Sequence, residues 1–146
     1  VRLRLRPEDA AECRTELLQA EQELRNSSAS TIDLAYCYYL LCRAEIELGN
    51  PEPAIEYARK AIGLVGRAHI GILADTQVLL GKAYQMLGRF DEAATALNSA
   101  AGALAKEPPN RITAEVWLMA AEVWQARGDQ EKSREAFQRA MEFSGV

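Results

Sequence analysis

The chain has 146 residues, of which 49% are hydrophobic and 26% charged, the usual balance of a globular protein. Its formal net charge of −4 argues against broad nucleic-acid binding, which needs clustered positive charge, so we expect no direct contact with nucleic acid. A local exception is formed by Arg2, Arg4 and Arg6, which we interpret as a solvated tail.

Three cysteines are present, Cys13, Cys37 and Cys42. Their odd number and the absence of a C-x-x-C pair argue against both a disulfide framework and a zinc site, and they favour a reducing, cytoplasmic location. No apolar run reaches the roughly 20 residues that a membrane helix needs, so we expect no contact with a membrane. Because the chain begins at Val1 without a methionine, we interpret it as a fragment or a processed chain.

Apolar residues recur at the helical period through most of the chain, and abundant alanine favours helix. Runs of Val, Ile and Thr, which would indicate a sheet, are absent. The pattern therefore predicts an all-α protein of seven helices. Their expected bounds are 8–25, 31–48, 51–64, 69–87, 90–105, 111–127 and 130–143.

Three glycines, Gly49, Gly88 and Gly128, each follow an apolar helical segment and precede acids or proline. Glycine adopts left-handed backbone angles without strain just past a helix C-terminus, while proline and acids suit the first turn of the next helix. Each glycine thus predicts a tight turn between two antiparallel helices. The glycines are separated by 39 and 40 residues, which indicates a stacked repeat.

Small residues recur five and twelve positions after each glycine, where we expect the two helices of a pair to cross closely. They are Ala54, Ala93 and Ser133 at the first position, and Ala61, Ala100 and Ala140 at the second. We expect larger side chains, Tyr57, Leu97 and Phe137, to fill the wider gaps.

This pattern resembles the tetratricopeptide repeat, in which a first helix of W-x-x-L-G-x-x-Y type pairs with a second helix carrying A…F/Y…A. The unit around Gly88 matches the motif best. Its matching residues are Leu80, Gly81, Tyr84, Gly88, Phe90, Ala93 and Ala100. Gln77 stands where the motif begins with an aromatic residue, and the period exceeds the family's usual 34 residues.

The resemblance implies a right-handed α-solenoid of antiparallel helix pairs with about three and a half repeats. The whole chain, 1–146, would form one repeat domain with units at approximately 1–30, 31–66, 69–106 and 111–146. The stretch TIDLAYCYYLLCRAEIELGNPEPAIEYARKAIGL also resembles the C-terminal repeat domain of actinobacterial helix-turn-helix transcriptional regulators.

In such repeats the first helices line an inner groove, and the resemblance assigns twelve residues of this chain to it. They are Tyr36, Tyr39, Leu40, Arg43, Asp75, Val78, Leu79, Lys82, Glu115, Leu118, Met119 and Glu122. With two cations and no asparagine, this set does not fit the carboxylate clamp of some family members. Its apolar residues either pack between helices or form a groove for an amphipathic helix or extended peptide.

No constellation of residues indicates catalysis, so we expect no enzyme, no cofactor and no metal. The single histidine, His69, lies in a joint before the fourth helix, where we expect a solvated or capping role. The glycine-rich GLVGRAHIG lacks the ending of a phosphate loop. The acid pairs, Glu8 and Asp9, Glu45 and Glu47, and Asp91 and Glu92, are expected on solvated faces and at helix starts.

The leading hypothesis from the sequence is a protein- or peptide-binding scaffold, the interaction arm of a larger protein such as a transcriptional regulator. One alternative is a self-association module in which terminal helices pair, with Phe137, Met141 and Phe143 as candidates, since uncapped repeat ends expose apolar surface. A second alternative is a domain that binds a small ligand within the superhelix.

Overall fold

The computed structural model describes residues 7–27, 30–66, 69–105 and 111–143, of which about 90% are helical and none is in a strand. The helices of this part are α1 (Pro7–Asn26), α2 (Thr31–Glu47), α3 (Pro51–Val65), α4 (Ile70–Met86), α5 (Phe90–Leu104), α6 (Arg111–Arg127) and α7 (Gln130–Phe143). Every predicted boundary lies within one residue of the observed one, and the all-α solenoid is confirmed. The three N-terminal arginines lie outside the described residues.

Each helix pair is joined through the same hydrogen-bonded turn. After α4, the N–H of Gly88 donates to the carbonyl of Gln85 at 3.0 Å, and the N–H of Arg89 donates to that of Tyr84 at 2.9 Å. This is a Schellman motif, which requires a left-handed residue just past the helix. The same pair of bonds closes α2 and α6. The three glycines have φ angles of 77°, 74° and 93° at Gly49, Gly88 and Gly128.

The small residues after each glycine are buried, as the spacing predicted. They are Ala54, Ala61, Ala93, Ala100, Ser133 and Ala140. Ser133 replaces alanine without leaving a buried hydroxyl unpaired, because its Oγ donates to the carbonyl of Ala121 at 3.0 Å. Of the larger residues, Leu97 is fully buried, while Tyr57 and Phe137 are half-buried and pack against the core.

A close crossing between paired helices lies at Gly81 in α4. A Cβ at this position would be 2.9 Å from Cγ of Leu97 and 3.3 Å from the carbonyl oxygen of Ala93, both in α5. Leu97 is fully buried, and displacing a side chain in a closely packed interior disturbs its neighbours. The missing side chain of Gly81 therefore provides the space that Leu97 occupies.

The array curves toward the first helix of each pair. Consecutive helices pack on one another throughout the described residues, and α2 and α6 each also approach α4. The second helices, α3, α5 and α7, do not approach one another. The first helices therefore lie at the smaller radius, and we call the surface formed by α2, α4 and α6 the concave face.

The N-terminal helix of the described residues, α1, precedes these pairs and packs on α2 through both polar and apolar contacts. Arg14 Nη1 lies 3.1 Å from Glu45 Oε1, and the Glu45 side chain is only 5% exposed. Tyr38 donates its hydroxyl to Glu21 Oε1 at 3.0 Å. The expectation that Glu45 lies on a solvated face is thus wrong, because α1 covers that side of α2, whereas Glu47 is exposed as expected.

Replacing Gly81 with alanine tests the close crossing. Alanine improves helix propensity by up to about 1 kcal/mol, but forcing a methyl group against Leu97 costs about 1–3 kcal/mol. We expect Gly81→Ala to lower the free energy of unfolding in urea. Gly63→Ala is the matched control, because this glycine lies within α3 with open space around it, and we expect it to gain about 0.5–1 kcal/mol. Equal stabilisation by both variants would show that the crossing tolerates a methyl group.

The buried thiol of Cys42 predicts a loss of stability at alkaline pH. Burial raises its pKa from the ordinary value of 9.0 to about 12, so the unfolded chain ionises first. Ionisation of this thiol therefore has little effect on the free energy of unfolding below pH 9. It lowers that free energy as the pH rises from 9 to 12, by about 1 kcal/mol at pH 10.

Urea unfolding of the wild type and Cys42→Ala at pH 8 and pH 10 measures this effect. Between pH 8 and pH 10, we expect the free energy of unfolding to fall by more in the wild type than in Cys42→Ala. The comparison cancels the contributions of Tyr38 and Tyr57, whose pKa values are raised in both proteins. A difference that stays constant between the two pH values would contradict the prediction.

Candidate functional site

A pocket of about 180 Å³ opens on the concave face between α4 and α6. It is lined by Asp75, Val78, Glu115, Val116, Leu118, Met119 and Glu122. Two of these residues come from α4 and the other five from α6. We call this the α4–α6 pocket.

Helical spacing explains the lining from α6. Glu115, Leu118, Met119 and Glu122 follow the i, i+3, i+4, i+7 pattern, so they form one stripe along the helix. Val116 is one residue away from this stripe, and it is buried in the same apolar cluster as Ala74 of α4. It therefore forms the apolar base of the pocket, while the stripe forms its wall.

All twelve groove residues predicted from the sequence lie on α2, α4 or α6, and none of them is fully buried. Six of the twelve line the α4–α6 pocket, and Val116 is the one lining residue that the sequence analysis missed. Its signal was weak, because a buried valine beside a surface stripe is the ordinary pattern of any amphipathic helix.

The apolar groove residues differ in how deeply they are buried, and the interpretation of this face as a peptide groove stays a prediction. Val78, Leu79 and Met119 are half-buried and pack against the core. Leu118 and Tyr36 are more exposed, at 42% and 49%. The concave face thus combines exposed apolar side chains with half-buried ones that pack against the core.

The α2 part of the concave face is aromatic. The rings of Tyr36 and Tyr39 are 5.8 Å apart, and the Arg43 guanidinium lies 5.8 Å from the Tyr39 ring centre. Burial raises the pKa of Tyr39, the negative charge of Asp75 raises it further, and Arg43 opposes both effects. Because Asp75 belongs to α4, Tyr39 lies within electrostatic range of that helix.

The charges on the concave face are unevenly distributed. Among the described residues, the lining of the α4–α6 pocket includes three carboxylates, those of Asp75, Glu115 and Glu122. The two predicted groove cations, Arg43 and Lys82, lie outside the lining, and Lys82 is exposed. A ligand in the pocket therefore meets apolar side chains together with carboxylate groups.

The remaining candidates from the sequence do not form a site. His69 occupies the position just before α4, is exposed, and makes no capping bond with its side chain. Within the described ranges, no three His, Cys, Asp or Glu side chains are grouped so that they would bind a metal ion. The helices of the same ranges are all too short or too polar to span a bilayer.

The last helix, α7, exposes mainly polar residues. The residue six positions after the turn glycine differs between the pairs. In α3 and α5 it is the buried Ile55 and the buried Ala94, whereas in α7 it is the exposed Arg134. Phe137 packs against the core, Phe143 is half-buried, and Met141 is 63% exposed. The self-association hypothesis stays a prediction, with Met141 as its main exposed apolar residue on α7.

Comparison with known sequences identifies the repeats. Two family models, each described as tetratricopeptide repeat, match residues 35–64 and residues 74–99. These matches fall in the second and third predicted units and support a tetratricopeptide-repeat domain. Such domains are generally non-catalytic scaffolds for protein–protein interaction. A search of curated proteins finds no match.

Solved structures with the same fold include MamA. They also include BtubC, which comes from P. vanneervenii. MamA is 22% identical with a TM-score of 0.62, and the alignment covers 75% of this chain and 57% of MamA. BtubC is 17% identical with a TM-score of 0.72, and the alignment covers 92% of this chain and 55% of BtubC. This chain therefore spans just over half the length of either protein, and the likeness concerns the fold.

Proposed function

We propose that this chain is a protein- or peptide-binding scaffold that holds its partner on the concave face. The observation that carries the proposal is the α4–α6 pocket, whose lining combines the exposed Leu118, the half-buried Met119 and the buried Val116. Apolar surface in a concave site usually marks a binding region, and methionine adapts its shape to different partners.

The size of the site favours a polypeptide over a small ligand. Pockets for drug-sized molecules usually measure about 300–1,000 Å³, and the α4–α6 pocket is smaller, at about 180 Å³. The concave face also extends beyond the pocket to Tyr36 and Tyr39 of α2. A helix or extended segment would place one side chain in the pocket and others along this face.

We further propose that the chain, as one domain of four units over 1–146, is the interaction arm of a larger cytoplasmic protein. The resemblance of residues 31–64 to the repeat domain of helix-turn-helix transcriptional regulators supports this proposal. The position of the chain in such a protein would let partner binding change the state of a neighbouring DNA-binding domain.

The coding sequence upstream of Val1 tests this second proposal. A helix-turn-helix segment there is the expected result, because it would join a DNA-binding domain to the repeats. Another repeat, or a start codon close to Val1, would contradict the regulator hypothesis and would leave the scaffold proposal intact.

Selection from an unbiased displayed library of random peptides tests the scaffold proposal. Peptides recovered on the wild type are measured by calorimetry against Leu118→Asp and Leu18→Asp. Both leucines are 42% exposed, but Leu18 lies on α1, away from the concave face, so the pair is matched in chemistry and exposure. We expect Leu118→Asp to weaken binding by about tenfold or more and Leu18→Asp to leave it unchanged.

Circular dichroism during urea unfolding checks that both variants fold. Exposed substitutions usually change stability little, so we expect similar unfolding midpoints for the two variants. The proposal fails if the library yields no peptide, or if both variants bind the recovered peptides as tightly as the wild type does.

A further inference from the structure

The helix α1 is held on the array by few buried side chains. Of its residues whose side chains the structure describes, Ala10 alone is buried. The helix α7, at the other end of the described part, buries Ser133, Ala136 and Ala140. Both helices pack on a single neighbour, so we expect α1 to leave its neighbour more readily than α7 does.

The surface of α2 beneath α1 contains groups that need a partner. The Glu45 side chain is 5% exposed, and its Oε1 lies 3.1 Å from Arg14 Nη1. The buried Tyr38 donates its hydroxyl to Glu21 Oε1 at 3.0 Å. Between these two contacts, half-buried side chains of α1 cover an apolar cluster that includes Leu41; they are Leu17, Ala20 and Leu24. A covering helix without a cation opposite Glu45 would leave that carboxylate buried and unpaired, which is strongly destabilising.

The sequence of α1 contains the required groups in the required order. Arg14, Leu17, Glu21 and Leu24 are spaced by three, four and three residues, so they form one stripe along the helix. The stripe places the cation at Glu45, the carboxylate at Tyr38 and the leucines on the apolar cluster. Every copy of the chain carries this R-x-x-L-x-x-x-E-x-x-L order.

We infer that α1 is an exchangeable helix, and that the surface of α2 beneath it binds the α1 of a second copy in a domain-swapped dimer. Charge complementarity identifies this occupant, because the second copy presents the same cation to Glu45 and the same carboxylate to Tyr38. The surface lies apart from the α4–α6 pocket, so this inference and the scaffold proposal can each fail without the other.

The short connection to α2 sets the conditions for exchange. Four residues separate Asn26 from Thr31, and a short connection gives the chain's own α1 an effective concentration on the order of millimolar. We therefore expect the wild type to be monomeric at micromolar concentration. Exchange becomes measurable when the contact within one chain is weakened and the contact between two chains is kept.

A reciprocal charge exchange creates this condition. Arg14→Glu brings two carboxylates together within one chain, and Glu45→Arg brings two cations together, so each variant weakens its own α1 contact. In a mixture, the unchanged Arg14 of one variant meets the unchanged Glu45 of the other, and the two introduced charges also attract each other. We expect light scattering at micromolar concentration to show at least about tenfold more dimer in the mixture than in either variant alone.

Two controls separate exchange from general charge attraction. The double variant Arg14→Glu/Glu45→Arg restores an attractive pair within one chain, so we expect it to be monomeric and to melt close to the wild type by circular dichroism. Arg134→Glu and Glu135→Arg, at exposed positions of α7, make the same charge changes away from α1. We expect a mixture of these two to remain monomeric.

A disulfide between chains gives a second measurement that does not depend on the reversed ion pair. The Cys37 thiol lies 3.4 Å from the carbonyl oxygen of Leu17, so a cysteine at position 17 is within reach of it. In a mixture of Leu17→Cys/Cys37→Ala with the wild type, this disulfide forms only when α1 of one chain packs on α2 of the other. We expect a crosslinked dimer after oxidation, and none when Cys37 is replaced by alanine in both chains.

A charge-exchange mixture that stays monomeric, together with the absence of the Cys37-dependent crosslink, would overturn the inference. Equal dimer formation by the α7 control mixture would also overturn it, because the association would then belong to another surface.

Discussion

The close crossing of the two helices in each pair is the constraint on which the rest of the structure depends. At Gly81 the helices approach so closely that Leu97 occupies the space of the missing side chain. Elsewhere the same approach is made by buried alanines. Because paired helices are held at short range, the wider spaces in the array fall between neighbouring pairs, and the concave pocket lies in one of them, between α4 and α6.

The recurring turn converts this local constraint into a curved array. Each Schellman motif reverses the chain within a few residues, so every pair begins its second helix in an equivalent position. Repetition then brings first helices near first helices, and it repeats the same register positions along one face. This is why Asp75 and Glu115, which are 40 residues apart in sequence, both line one pocket.

The fold was accessible from the sequence because its signals are local. The glycines, the acids after them and the small residues at fixed distances report on turns and crossings within a single pair. The pocket was partly accessible, since the repeat register identified six of its seven lining residues. Val116 was missed because it is buried, and whether a buried side chain borders a pocket depends on how far α4 and α6 separate, which no local pattern encodes. Glu45 was misplaced because its partner, Arg14, is 31 residues away on a helix that covers it.

The attachment of α1 has a consequence for how the array comes apart. Among the described helices, α1 packs on α2 alone, whereas each inner helix packs on at least two others. Part of its interface is an ion pair between Arg14 and Glu45, and such pairs weaken as the partly exposed partner gains water. The helix α7 likewise packs on α6 alone, and in a chain of nearest-neighbour contacts an element with one neighbour separates at a lower free-energy cost than one with two or more. Fraying at α1 would expose the Glu45 side of α2, and the α4–α6 pocket, two helices further along, would keep its shape.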